Sequence, residues 1–212
     1  FILDTAANYL TRPPKRSDVL SVFAGLRPLA APRSEGKKTK EISRSHKLIR
    51  EKSGLITIIG GKWTTYRKMA QDTLDLAIRY MHIPTKDCIT ERYQIHGSRK
   101  NPDFSDPLYV YGTDADEIRN LVASSPAMAE KLHPDYAYTV GEVTWLVRNE
   151  MPRTLEDVLA RRLRILFLDA RAAMAMAPKV AGILATEWGK DETWTSAQVK
   201  AFNEVASNYI LN

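Results

Sequence analysis

Hydrophobic positions in the first part of the chain alternate between strand-length runs and helical spacing, and the later part is almost wholly helical in period. Ile2, Leu3, Ala6 and Leu10 fall on or near one helical face, and Thr11-Arg12-Pro13-Pro14 closes that helix, since proline lacks a donor and disfavours helix at the preceding residue. Val19 to Ala24, Ile42 to Arg50 and Leu55 to Ile59 read as strands; the last is apolar apart from Thr57, as expected of a strand covered on both faces. Residues 30 to 40 are a charged loop. Tyr66, Ala70, Thr73, Leu74, Ala77, Ile78 and Met81 then recur at helical spacing, and that helix ends near His82-Ile83-Pro84.

Gly97, Ser98, Asn101, Pro102, Asp103 and Pro107 mark a linker over 95–107. Beyond it, segments 114–124, 139–150, 154–168 and 191–210 each carry an apolar face, and an alanine-rich helical run surrounds 170–184. Thr113-Asp114-Ala115-Asp116-Glu117 signals a helix start, with acids in the first turn. Thr154 and Asp157 resemble a capping box with aspartate in place of Glu or Gln, and Asp157 can pair with Arg161 one turn on. The arginine-rich stretch there reads as a structural helix with paired charges. The pattern divides the chain into a strand-bearing part over 1–94, a linker over 95–107 and an all-α part over 108–212.

Between the third strand and the helix after it lies Ile58-Ile59-Gly60-Gly61-Lys62-Trp63-Thr64-Thr65-Tyr66-Arg67-Lys68-Met69-Ala70. Paired glycines let the backbone turn sharply and approach whatever lies above the strand end. The first helical N–H groups have no intrahelical partner, so an anion or electron-rich ring edge there gains roughly 0.3 to 1 kcal/mol. A Walker A loop is excluded, because the required glycine position holds Ile56 and the residue directly after Lys62 is Trp63. A plain tight turn in an α/β domain remains the alternative.

Composition narrows the classes. With 44% apolar residues in 212, a core is affordable and disorder is not expected. The single cysteine, Cys88, cannot close an internal disulfide, and with four dispersed histidines the sequence offers no metal site. No apolar run reaches the ~18 residues of a membrane span. The net charge of +6 suits an anionic substrate or an acidic membrane surface. Nucleic acid is disfavoured, because the one dense lysine cluster, Lys37, Lys38 and Lys40, sits in a loop with few aromatic residues among it.

Gly25-Leu26-Arg27-Pro28-Leu29, then Ile42-Ser43-Arg44, then Gly60-Gly61-Lys62-Trp63-Thr64-Thr65-Tyr66-Arg67-Lys68-Met69-Ala70, resemble in order and spacing the FAD-dependent glycerol-3-phosphate dehydrogenases. Glu142-Val143, Arg148-Asn149-Glu150 and Arg153 to Arg162 resemble that family's carboxy-terminal helical domain, so the likeness covers nearly the whole chain. It implies an α+β fragment of an FAD-dependent oxidoreductase, an incomplete FAD- and substrate-binding domain, followed by an all-α carboxy-terminal domain. The Gly-x-Gly-x-x-Gly turn that would hold the FAD pyrophosphate does not occur in the sequence. A fragment of this kind is expected to be inactive alone and not to retain FAD.

The implied reaction is oxidation of sn-glycerol 3-phosphate to dihydroxyacetone phosphate, with hydride passing to flavin N5 and electrons going on to a quinone or oxygen. By resemblance, Arg27 and Arg44 hold the substrate phosphate, for which a guanidinium is suited. Lys62 and Thr64 contact substrate and isoalloxazine, with Lys62 as the catalytic cation, and Gly60, Gly61, Lys62, Trp63, Thr64 and Thr65 line the flavin. His46, His82, His96 and His133 read as structural or surface residues. An autonomous helical interaction module and an FAD-dependent amine or amino-acid oxidase are the alternatives. No calcium-loop pattern follows the helical part, which implies a bacterial-type enzyme in the cytoplasm, peripheral to the inner face of the cytoplasmic membrane. A homodimer is compatible with this reading.

Overall fold

The computed structural model describes residues 1–26 and 45–211, which form two compact units: residues 25–95, and residues 1–24 together with 96–212. Arg27, Arg44, the lysine cluster and the first part of the strand expected from Ile42 lie outside the described residues.

In the smaller unit, β1 (Lys47–Arg50) and β2 (Ile56–Ile59) pair antiparallel, with Lys47 opposite Ile59 and Arg50 opposite Ile56. The chain reverses through Gly54 at φ +92°, where the N–H of Glu51 donates to the carbonyl of Leu55 at 2.9 Å. Although β2 is apolar apart from Thr57, it is half-buried, because a two-stranded ribbon with one helix cannot cover both its faces. Helix α2 (Tyr66–Met81) follows and stops at His82, which takes the left-handed conformation and returns its N–H to the carbonyl of Ile78. Arg67 reaches the segment after α2, donating to Thr90 at 3.1 Å and pairing with Glu91 at 3.4 Å. The Arg50 guanidinium lies 3.3 Å above the Tyr80 ring centre, linking β1 to the end of α2.

The larger unit is helical: α1 (Ile2–Ala7), α3 (Ala115–Ala123), α4 (Pro126–Ala129), α5 (Val140–Asn149), α6 (Ile165–Leu168), α7 (Ala170–Trp188) and α8 (Glu192–Ser207). Helix α7 is its axis, packing against α5, α6 and α8. Ala173, Met176, Ala177, Val180, Ala181 and Leu184 recur at helical spacing and are fully buried, and the alanines let neighbouring helices approach closely. Val143, Leu146, Leu155, Val158, Leu159, Leu166 and Phe202 complete the core; each large apolar side chain removed from water contributes about 1.5 to 3 kcal/mol. Ser125, Thr139, Asp169 and Asp191 cap the starts of α4, α5, α7 and α8 through their side-chain oxygens.

Three expectations need correction. Val19 to Ala24 is extended but belongs to no sheet and packs with the helical unit. Its backbone serves helix ends instead: the N–H of Val22 donates to the carbonyl of Tyr209 at 2.8 Å, and the carbonyl of Leu20 accepts from Ala170 at 3.2 Å. Ser21 donates to the carbonyl of Leu166 at 2.7 Å, and the Phe23 and Phe167 rings meet edge to face at 5.1 Å. The amino-terminal helix stops at Ala7, short of the prolines. The single helix expected over 154–168 is a π-helical turn, Asp157–Arg162, and then α6, divided at Arg164 with φ +61°. Its start does follow the capping-box reading. Asp157 Oδ2 accepts from the N–H of Thr154 at 3.0 Å, Thr154 Oγ1 accepts from the N–H of Asp157 at 3.2 Å, and Arg161 donates to Asp157 Oδ1 at 3.0 Å.

Candidate functional site

At the end of β2, Gly60 (φ +77°) and Gly61 (φ +80°) both take the left-handed backbone that only glycine adopts freely. A Cβ on Gly61 would lie 2.4 Å from Met69 Sδ and 3.4 Å from the Cβ of His46, so the turn is pressed onto α2, and any other residue here would be strained in φ as well. A single helical turn, Trp63–Thr65, leads into α2. Thr65 fixes its start, with Oγ1 accepting from the N–H of Lys62 at 3.1 Å and donating to the carbonyl of Lys62 at 2.9 Å. None of the hydrogen bonds among the described residues uses the N–H of Gly60 or Gly61.

Gly60, Gly61, Lys62, Trp63, Tyr66 and Met69 surround a hollow of about 270 Å³. Trp63 is 86% exposed and Tyr66 59%, their rings stacked with centres 5.5 Å apart, which leaves a flat aromatic surface uncovered beside the glycines. Lys62 and Thr64 are exposed, and Lys62 forms no ion pair among the described residues. The motif therefore brings together Gly60, Gly61, Lys62, Trp63, Thr64 and Thr65, and adds Tyr66 and Met69. Tyr66 lies three positions past Trp63 and Met69 three past Tyr66, both on the first turn of α2; the sequence reading has Tyr66 in the helix periodicity and both in the motif, without a place in the site.

Behind the turn, His46 Nε2 lies 2.9 Å from Asp72 Oδ2, and Lys68 lies 2.9 Å from Asp72 Oδ1. The Lys68 hydrogen bond, assisted by His46, holds the Asp72 carboxyl below its ordinary range, and the same contact raises the Lys68 ammonium. His46 thus ties the entry to β1 to α2, the structural role expected of it. His96 pairs with Asp114 at 2.8 Å, and the His133 ring sits 5.5 Å from that of Tyr136.

The helical unit holds a second polar group of note. Glu142 on α5 is 4% exposed and accepts from the Tyr111 hydroxyl at 2.6 Å. Burial pushes its carboxyl up to about 7 against the lowering influence of that hydrogen bond, and the Tyr111 phenol is raised by the same burial and by the carboxylate. The sequence reading places Glu142 only in the stretch that resembles the family's carboxy-terminal helical domain.

A sequence model of the C-terminal domain of alpha-glycerophosphate oxidase matches residues 55–195, from the start of β2 to the first turn of α8. The chain belongs to that family. Relatives of the chain include mitochondrial glycerol-3-phosphate dehydrogenases of Arabidopsis thaliana (33% identical over 254 residues, covering 98% of this chain and 40% of the relative) and of Mesocricetus auratus (31% over 236 residues, 99% and 31%). The chain spans 31 to 40% of the length of these relatives. The bacterial, cytoplasmic placement is overturned by them, since they are eukaryotic proteins named as mitochondrial. A missing calcium loop could not decide compartment, which is set by targeting segments. No helix among the described residues is long and apolar enough to cross a membrane.

Proposed function

We propose that this chain is the carboxy-terminal portion of a mitochondrial flavoprotein that oxidises sn-glycerol 3-phosphate to dihydroxyacetone phosphate, and that the Gly60-Gly61 turn is where it meets FAD. The observation that carries the reading is the junction of two left-handed glycines, backbone donors without a partner among the described residues, and an uncovered Trp63–Tyr66 surface at a strand end, inside the family match. These groups fit a flavin, which offers a flat ring face and an electron-rich edge. When bound, FAD supplies a hydride acceptor at N5.

This chain's residues bind and orient around that acceptor. Side chains are absent at Gly60 and Gly61, so ring atoms can come close to the backbone. Lys62 places a cation where negative charge develops and eases departure of the C2 hydroxyl proton. Thr64, with no side-chain partner among the described residues, offers a hydroxyl to substrate or ring. Thr65 contributes by pinning the Lys62 backbone. Arg27 and Arg44 complete the proposal as phosphate ligands, with a quinone or oxygen as the electron acceptor.

The test is steady-state kinetics of the full-length protein that carries these residues. Arg27→Met is expected to raise KM for glycerol 3-phosphate about tenfold or more with FAD retained, since a charge-assisted contact contributes about 1.5 to 3 kcal/mol. Lys62→Met is expected to lower kcat. Unchanged kinetics in both variants would reject the assignment.

A further inference from the structure

A cleft of about 650 Å³ opens on the helical unit, bordered by Met151, Pro152, Arg153, Trp188, Lys190 and Trp194. It lies wholly within that unit. Its volume is in the range of small-molecule sites. The polar side chains that line it, Arg153, Lys190 and the two indoles, are all donors. Arg153 and Lys190 make no side-chain hydrogen bond or ion pair among the described residues, and neither indole N–H of Trp188 or Trp194 is used. The nearby carboxylates are engaged elsewhere: both oxygens of Glu187 take the Arg148 guanidinium, at 2.8 and 2.7 Å, and Asp191 caps α8 at the N–H of Trp194, at 2.8 Å. Neither cation of the cleft forms an ion pair among the described residues.

Two further features are unusual for a surface serving packing alone. The rings of Trp188 and Trp194 meet edge to face, with centres 5.7 Å apart, and form an apolar wall. Met151 holds φ +47° directly before Pro152, where an extended backbone is the favoured state, and its side chain is 78% exposed. Burial of that side chain does not offset the strain. Backbone strain maintained at an exposed position bordering a cleft is characteristic of ligand sites.

We infer that this cleft binds a small organic anion of the nucleoside-phosphate class, with phosphate oxygens between Arg153 and Lys190 and the base against Trp188 and Trp194. Guanidinium and ammonium groups together suit a multiply charged phosphate, and the indoles supply the ring surface. The inference stands apart from the oxidation of glycerol 3-phosphate, and its test needs no activity.

The 212-residue chain is titrated with adenosine 5′-diphosphate, pyrophosphate and adenosine separately, by tryptophan fluorescence and by calorimetry. Saturable binding of the diphosphate is expected, with pyrophosphate and adenosine each weaker. Arg153→Ala combined with Lys190→Ala, both exposed positions, is expected to weaken the diphosphate by about tenfold or more, as loss of charge-assisted contacts implies. Lys200→Ala, on α8 and outside the cleft lining, should leave affinity unchanged. No saturable binding of the diphosphate, equal affinity in the double variant, or equal loss in Lys200→Ala overturns the site. Pyrophosphate binding as tightly as the diphosphate overturns the role of the indoles.

Discussion

Glu142 makes the stability of the helical unit depend on pH in a direction opposite to that of most carboxylates. In the fold it is 4% exposed on α5, with one hydrogen bond from Tyr111, and its carboxyl is pushed from an ordinary 4.5 up to about 7 by burial. Because the folded value is the higher one, protonation favours the fold. The contribution is fully present below about pH 4.5 and is lost as pH rises through about 7. The difference between the two values corresponds to about 3 kcal/mol, of which about 2.5 kcal/mol falls between pH 5 and pH 8.5. The phenols sharing its hollow do not blur this window, since Tyr111 and Tyr138 are both raised by burial and stay neutral.

Glu142→Gln keeps a carbonyl to accept from Tyr111 and removes the titration. Whatever the new amide costs through its unmatched N–H is independent of pH. Urea unfolding of both proteins at about pH 5 and about pH 8.5 should therefore show the variant gaining on the wild type by up to about 2.5 kcal/mol across the interval, while other titrating groups cancel. Parallel pH profiles, differing by less than about 0.5 kcal/mol between the two ends, would show that the carboxylate is not paying for burial.

Gly61→Ala is expected to destabilise the 25–95 unit by about 1 to 3 kcal/mol, from its φ of +80° and the 2.4 Å approach to Met69 Sδ; adding Met69→Ala should relieve the collision but not the φ cost, measured by hydrogen exchange in β2 and α2. Asp169→Ala removes both the α7 cap at Ala172, 2.9 Å, and the acceptor of the Tyr136 hydroxyl, 2.9 Å, and should cost about 1 to 3 kcal/mol in urea unfolding; Asp169→Asn, which keeps an acceptor for the cap, should cost less.

Periodicity alone located β2, α2, α3, α5, α8 and the Thr154–Asp157 capping box, because each rests on side chains a few residues apart and on a backbone ladder that starts or stops locally. The glycine turn was legible for the same reason: two adjacent residues without Cβ, between an apolar strand and a helical repeat, have few other uses. What the one-dimensional pattern could not decide depended on partners distant in the chain. Val19 to Ala24 has strand composition, yet its backbone groups are taken by Ala170 and Tyr209 at helix ends and its Ser21 hydroxyl by the carbonyl of Leu166, and no local signal encodes that choice. Arg164 breaks the expected 154–168 helix in a left-handed conformation, and nothing in its residue type announces it. Glu142 has the sequence appearance of any helix-start acid. Only the tertiary structure, by packing α5 into the core and bringing Tyr111 to within 2.6 Å, makes it a buried carboxyl with a displaced titration, because desolvation is a property of the assembled surroundings and not of the residue.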